Sequence, residues 1–180
     1  TISGQAQLWT KELTFPAGNY WIGYSSTQLM NGNVLMSYIG TYGSSSSEGS
    51  ALVEVDMNGN IVWQQTYNLA IRLVRQRPDG NLIIVSRSTY IRTHISLLSP
   101  TGSILLHREY RNGSSNFGIS DLICLPDNSI LFCGSDVDLF SGGVTTYTWA
   151  KPMYGRLRPD LTLDWAKTYG SHTSSNRMKG

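Results

Sequence analysis

The hydrophobic positions of this chain fall in short runs rich in Val, Ile, Leu and Tyr, cut by clusters of Gly, Pro, Asn and Asp. Between residues 61 and 102 there are four such runs: Ile61–Tyr67, Ile71–Gln76, Asn81–Arg87 and Thr93–Ser99. No amphipathic period of 3.6 residues persists for three turns anywhere, so the pattern predicts antiparallel strands and almost no helix. Pro78-Asp79-Gly80 has the chemistry of a tight turn. Pro presets the backbone, Asp accepts a local hydrogen bond, and Gly tolerates a left-handed conformation. Asn58-Gly59 and Thr101-Gly102 are expected to play the same part between the fourth strand of one unit and the first strand of the next.

The runs also repeat. GNIVWQQTY (59–67), GSILLHREY (102–110) and DLTLDWAKTY (160–169) are versions of one phrase, with a degenerate copy LWTKEL at 8–13. Aligned on Trp9, Trp63, Leu106 and Trp165, the copies are 54, 43 and 59 residues apart, bracketing the roughly 40–50 residues of a four-stranded propeller blade. A second phrase, NGNVLMS (31–37), DGNLIIVS (79–86) and DNSILFCG (127–134), recurs every 48 residues. A third, ALVEVD (51–56), returns as HISLLS (94–99) and more loosely as MYGRLR (153–158). The expected fold is therefore all-β, a β-propeller segment spanning 1–180. Its units would be about 8–60, 61–103 and 104–160, with a partial unit at 161–180: about three four-stranded blades plus the first strand of a fourth. Trp9, Trp63 and Trp165 are expected to pack between neighbouring blades.

Closed propellers have about four to eight blades, so this count implies either a longer chain or a ring completed by another copy. The absence of Met at position 1 and the abrupt Asn176-Arg177-Met178-Lys179-Gly180 ending point to a piece of something longer.

The stretch ALVEVDMNGNIVWQQTY, with Ala51, Asp56, Gly59 and Trp63 in place, resembles the repeat of PQQ-like and related bacterial β-propellers. WAKTYGS (165–171) and SDLICLPDNSILFCGS (120–135) are similar to repeats of secreted bacterial propellers. The resemblance extends over nearly all of the chain and implies a propeller scaffold. It departs at Leu106 for Trp, at Ser99 and Arg158 for Asp, and at Asn128-Ser129 for a Gly turn. Cys124 and Cys133 are not vicinal, as a quinoprotein dehydrogenase would require, so no quinone cofactor is implied. The likeness to secreted propellers, with the low charge, leads to an extracellular or secreted expectation.

Composition narrows the function classes. Lys and Arg number 14 against 12 Asp and Glu, and charged residues make up only 14% of the 180. A net charge of +2 scattered along the chain offers no footprint for nucleic acid. No apolar run approaches the roughly 20 residues of a membrane-spanning helix, and the N-terminus lacks the build of a signal peptide. No membrane insertion is expected.

Candidate chemistry is sparse. Asp56-Met57-Asn58-Gly59-Asn60 alternates oxygen-bearing side chains as calcium loops do, but Tyr67 stands where such a loop would place Glu, which favours a plain turn. His94, His107 and His172 lie on different elements without a metal-ligand spacing, and are expected at the surface or rim. No metal and no cofactor is expected. Asp121, Asp136 and Asp138 could form a rim cluster for acid/base work. Neither a phosphate-binding Gly loop nor a Gly-x-Ser-x-Gly motif occurs. With the Pro126-Asp127-Asn128 turn matched to Pro78-Asp79-Gly80, Cys124 faces residue 130 and Cys133 opposes Asp121, which gives free, partly buried thiols. A one-residue slip would bring them together, so a disulfide stays open. Asn112-Gly113-Ser114 is a glycosylation sequon in an expected loop.

The aromatics that do not repeat mark the expected binding surface. Tyr20 and Trp21 sit early in the first unit, while Phe140, Tyr147 and Trp149 occupy a long stretch, 135–152, expected as a loop. Its counterparts are Gly40–Ser50 and Ser88–Arg92, and loops at one topological position share an edge. The expected function is a non-catalytic binding or structural module that recognises a protein or glycan through these residues. A propeller-type hydrolase or lyase using Asp121, Asp136 or Asp138 is the second reading. Self-assembly, with strand 161–169 adding to another chain's sheet edge, is the third.

Overall fold

The computed structural model describes residues 20–42, 47–89, 92–110, 116–142 and 145–169. Among them run β1 (Tyr20–Gln28), β2 (Val34–Tyr42), β3 (Ser47–Val55), β4 (Ile61–Tyr67), β5 (Ala70–Gln76), β6 (Leu82–Thr89), β7 (Arg92–Leu98), β8 (Ile104–Tyr110), β9 (Asn116–Cys124), β10 (Ile130–Gly142), β11 (Thr145–Leu157) and β12 (Leu163–Thr168). No helix occurs among the described residues. The strands form three antiparallel four-stranded sheets in chain order: β1–β4, β5–β8 and β9–β12. The all-β expectation holds.

The grouping of strands differs from the expected units by one strand. β4, expected to open the second unit, closes the first sheet by pairing with β3, and β12, expected to begin a fourth unit, closes the third sheet by pairing with β11. The reason lies in the turns. Arg77 N–H donates to the Asn81 carbonyl (2.8 Å) and Gly80 N–H to that of Arg77 (2.9 Å), and the same pair of bonds recurs at 29–33, 56–60, 99–103, 125–129 and 158–162. All six turns are tight hairpins that keep their flanking strands in one sheet. The chain changes sheet elsewhere, at Asn68-Leu69 and across 111–115. The expected strand at 8–13 lies outside the described residues.

The fourth residue of every turn has positive φ: Gly32, Gly59, Gly80, Gly102, Asn128 and Leu161. For Leu161 this backbone costs roughly 1–2 kcal/mol, offset by a side chain that is fully buried between the second and third sheets. Asn31, Asp79, Asp127 and Asp160 each accept from the backbone N–H two residues on, which fixes their turns. Asp56 is occupied in the same way. Its carboxylate accepts from the Asn58 and Asn60 amides and the Asn60 side chain, which is the plain turn the sequence favours.

The second sheet is the centre of the molecule, buried on both faces. Leu82 and Ile84 of β6 join a core with Leu35, Leu52 and Tyr67 of the first sheet. Ile83 and Val85, on the opposite face, join Phe117, Ile130, Phe132 and Leu157 of the third. Alternation along one strand thus serves two cores. Glu54 is buried in the first core, where the Trp63 indole N–H (2.5 Å) and the Asn31 and Asn33 amides satisfy its carboxylate.

Equivalent latches join the sheets. The Tyr67 hydroxyl, at the end of β4, donates to the Gly102 carbonyl at 2.6 Å, and the Tyr110 hydroxyl, at the end of β8, donates to the Leu161 carbonyl. Both acceptors are the positive-φ residue of the next sheet's last turn. Arg77 and Arg108 add side-chain bonds to the Pro159 and Asp160 carbonyls in the turn that also holds Leu161.

The stretches expected as loops are mostly strand. β10 and β11 pair from Ile130↔Leu157 out to Gly142↔Thr145, and β2 and β3 pair out to Tyr42↔Ser47. Val, Phe, Tyr, Thr and Trp dominate 137–149. These residues favour extended backbone, so the insertion lengthens a hairpin instead of forming a loop.

Candidate functional site: the extended hairpin and the first-strand bulges

β9 accompanies β10 only as far as Asn116↔Val137, and β12 accompanies β11 only from Met153 onward. Beyond those points Asp138–Gly142 and Thr145–Trp149 pair, among the described residues, only with each other, as a two-stranded ribbon extending past the described ends of β9 and β12. Register puts Phe140 opposite Tyr147 and Asp138 opposite Trp149 on the ribbon backbone. The side chains of Phe140, Tyr147, Trp149 and Asp138 lie outside the described residues. Tyr20 and Trp21 open β1 opposite Thr41 and Gly40, at the tip end of the β2–β3 hairpin. The Tyr20 side chain also lies outside the described residues. The Trp21 ring covers Gly40 so closely that a Cβ there would fall 2.6 Å from it.

A second feature was not anticipated from sequence. Each sheet's first strand carries one bulge at the equivalent place, and the extra residues are Tyr24, Arg72 and Ser120, spaced by 48. A bulge re-aims one side chain without disturbing the rest of the ladder. The Arg72 guanidinium lies 5.0 Å over the Tyr24 ring and also donates to its hydroxyl. Beside Tyr24 lies an open cleft of about 280 Å³, lined further by Ser25, Ser26, Met36, Ser37 and Tyr38. Burial raises the Tyr38 phenol above its ordinary pKa, so it stays a neutral donor. The cleft offers hydroxyls and an aromatic face, and no pair of carboxylates lines it.

Two of the carboxylates of the hydrolase reading, Asp121 and Asp136, do not converge. Asp121 pairs in register with Cys133, and Asp136 with Phe117. Positions 133 and 136 are three apart on one strand, hence on opposite faces. Asp121 is ion-paired with Arg75 at 2.7 Å, and Asp136 is buried.

Two histidines expected apart at the surface are brought together. β7 and β8 pair Ser96 with His107, which sets His94 diagonally beside it. The rings stack at 5.0 Å, His94 Nδ1 lies 3.1 Å from His107 Nε2, and Ser96 Oγ lies 2.8 Å from His107 Nδ1. The order hydroxyl–imidazole–imidazole is that of a nucleophile with its base. Ser96 has no exposed surface, however, so the hydroxyl meets no substrate. His94 is buried and His107 exposed, and the pair is a polar contact between strands. Among the described residues no cluster of three or more metal-binding side chains occurs.

The cysteine register is as the turn alignment predicts, with Cys124 opposite Ile130 and Cys133 opposite Asp121. Both thiols are unpaired. Cys133 is exposed rather than part-buried, and burial pushes the Cys124 thiol up to about 11. Trp63 packs on the first core as expected, whereas Trp165 is 37% exposed because no sheet follows the third among the described residues. Trp9, His172 and the Asn112 sequon lie outside the described residues.

No family model matches the chain, and no curated protein matches it. Four solved chains match in structure. One of them, a protein of unknown function from Bacteroides caccae, is 13% identical with a TM-score of 0.46, over 87% of this chain and 70% of that one. A likeness at that level carries no functional argument. The resemblance to PQQ-like repeats rests on the residues quoted above alone.

Proposed function

We propose that the chain is a β-propeller segment serving as a non-catalytic binding module, which grips a protein or glycan partner through its hairpin ends. The observation that carries this reading is the β10–β11 ribbon. Its strands of thirteen residues exceed the eight and seven of the matching hairpin in the second sheet, and Phe140, Tyr147 and Trp149 all fall on that extension. A hydrogen-bonded ribbon presents aromatic area at lower ordering cost than an unpaired loop, which suits stacking on a sugar or filling a pocket on a protein. Tyr20 and Trp21, at the matching end of the first sheet, extend the proposed surface. The propeller arrangement is supported by the repeated sheet order, the contacts of β5 with both β1 and β9, and the equivalent tyrosine latches. Secretion belongs to the same proposal and rests on the sequence likeness alone.

The test is a triple replacement, Phe140→Ala with Tyr147→Ala and Trp149→Ala, screened with the parent on a glycan array and an extracellular-protein array. The expected result is a loss of at least about tenfold in every parental signal, with an unchanged β spectrum. Parental signals that survive intact in the folded variant overturn the assignment of this surface.

A further inference from the structure

The third of the repeated tyrosines has a different partner from the first two. Tyr67, Tyr110 and Tyr169 are the fourth residue after Trp63, Leu106 and Trp165. The first two donate to a turn carbonyl of the next sheet. The Tyr169 hydroxyl instead lies 2.9 Å from that of Tyr154, so one phenol donates to the other. Their rings stack with centroids 5.4 Å apart and planes 13° from parallel, and Trp165 meets Tyr154 edge-on.

Register produces this contact. Tyr154 of β11 stands opposite Lys167 of β12, so Tyr169, two residues further on the same face, lies diagonally beside it. The Tyr169 N–H donates to the Pro152 carbonyl at 2.9 Å, which carries the ladder past Thr168 and fixes the ring's approach. Tyr169 is 58% exposed and Tyr154 is half-buried, so an oxidant in solution can reach the pair. The hydrogen bond from Tyr154 raises the Tyr169 phenol above its ordinary pKa, which keeps it a neutral, bonded phenol at neutral pH.

A phenol that loses one electron and its hydroxyl proton becomes a radical with spin density on the carbons beside the hydroxyl, and two such radicals join there. Hydroxyls in hydrogen-bond contact on nearly parallel rings bring those carbons together and make the joining intramolecular.

We infer that Tyr154 and Tyr169 are an oxidative cross-linking site, which a haem peroxidase with hydrogen peroxide converts to a dityrosine bridge that staples the end of β12 to β11. Each phenol gives up one electron and one proton, and a carbon–carbon bond forms between the ring carbons beside the hydroxyls. The hydrogens on those carbons move to the oxygens and restore both rings. The two electrons and two protons reduce one hydrogen peroxide to two waters. The staple acts on a strand with little core of its own: every residue of β12 is at least part-exposed, and its ladder runs only from Met153↔Thr168 to Leu157↔Leu163. None of this depends on what the hairpin ribbon binds.

Cys133 is exposed and opposite Tyr154 in register, where its thiol would quench a Tyr154 radical. The test therefore uses Cys133→Ser, which places there the residue found at the equivalent position 37. The dilute protein is treated with peroxidase and hydrogen peroxide, then followed by dityrosine fluorescence and peptide mapping. The expected product is a single chain with residues 154 and 169 joined, two hydrogens lighter than before, at a yield independent of protein concentration. Adding Tyr169→Phe is expected to leave the β spectrum unchanged and to lower the single-chain fluorescence at least about tenfold. The bridged protein is expected to melt about 5 °C or more above the untreated one. A map without the 154–169 link, single-chain fluorescence that survives in folded Tyr169→Phe, or a link that leaves Tm unchanged would each overturn it.

Discussion

Removing the hydroxyls of the repeated tyrosines one at a time separates a latch that is closed from one that is not. Tyr67→Phe deletes a donor 2.6 Å from the Gly102 carbonyl, where the ring is 7% exposed and the glycine is buried. An acceptor left unmet in such a place costs about 1–3 kcal/mol. A cost of about 2 kcal/mol in a domain of this size lowers Tm by roughly 4–8 °C. Tyr110→Phe, at the half-buried second latch, is expected to cost about 1–2 kcal/mol. Tyr169→Phe, at a site 58% exposed, is expected to fall within about 0.5 kcal/mol. Thermal and urea melts followed by β-sheet circular dichroism measure all three. Equal costs at Tyr67 and Tyr169 would refute the reasoning, since they would show that the phenol matters for some property other than its carbonyl partner. The same tyrosines set an alkaline limit. Burial holds the Tyr110 phenol up to about 12 and raises that of Tyr67 further, against about 10 in the unfolded chain. The folded state therefore keeps these protons longer. Their contribution is complete below about pH 10 and is lost as pH climbs through about 12. The double variant Tyr67→Phe with Tyr110→Phe should lose less Tm over that window than the parent does.

Two further outcomes follow from burial and backbone geometry. At pH 8 one equivalent of thiol, Cys133, should react promptly with a disulfide reagent, while Cys124, with its pKa raised to about 11, should react at least tenfold more slowly until the protein unfolds; mass mapping of the labelled peptides checks which is which. Gly134→Ala places a Cβ 1.9 Å from the Gly118 carbonyl oxygen on the neighbouring strand and should cost about 3 kcal/mol or more, whereas Gly80→Ala meets nothing within 4 Å and should cost only the roughly 1–2 kcal/mol of its left-handed backbone. Urea denaturation midpoints compare the two.

Self-similarity in the sequence carried the period of this fold but not its phase. The phrase ending in Tyr67, Tyr110 and Tyr169 recurs whether it opens a sheet or closes one. Only the hydrogen bonds of the 56–60 turn show that it closes one. Turn chemistry was more legible: aligning Pro126-Asp127-Asn128 with Pro78-Asp79-Gly80 places Cys124 opposite residue 130, as observed. The 137–149 stretch misleads by its length, because nothing local distinguishes an insertion that pairs with itself from one that stays irregular. The His94–His107 contact joins different strands thirteen residues apart, and follows only from a cross-strand register. The bulged residues have no composition of their own. Tyr24, Arg72 and Ser120 share a place and nothing else, and only their spacing, equal to that of the Gly32 and Gly80 turns, could have singled them out.

That lack of shared composition has a consequence for how such a molecule can change. A side chain left out of the ladder makes no demand on strand pairing, so each first strand holds one slot whose occupant can be exchanged while every neighbouring pair keeps its partner. Phenol, guanidinium and hydroxyl already fill the three slots of this chain. A library confined to positions 24, 72 and 120 would vary the chemistry of one line across three sheets on an unaltered frame.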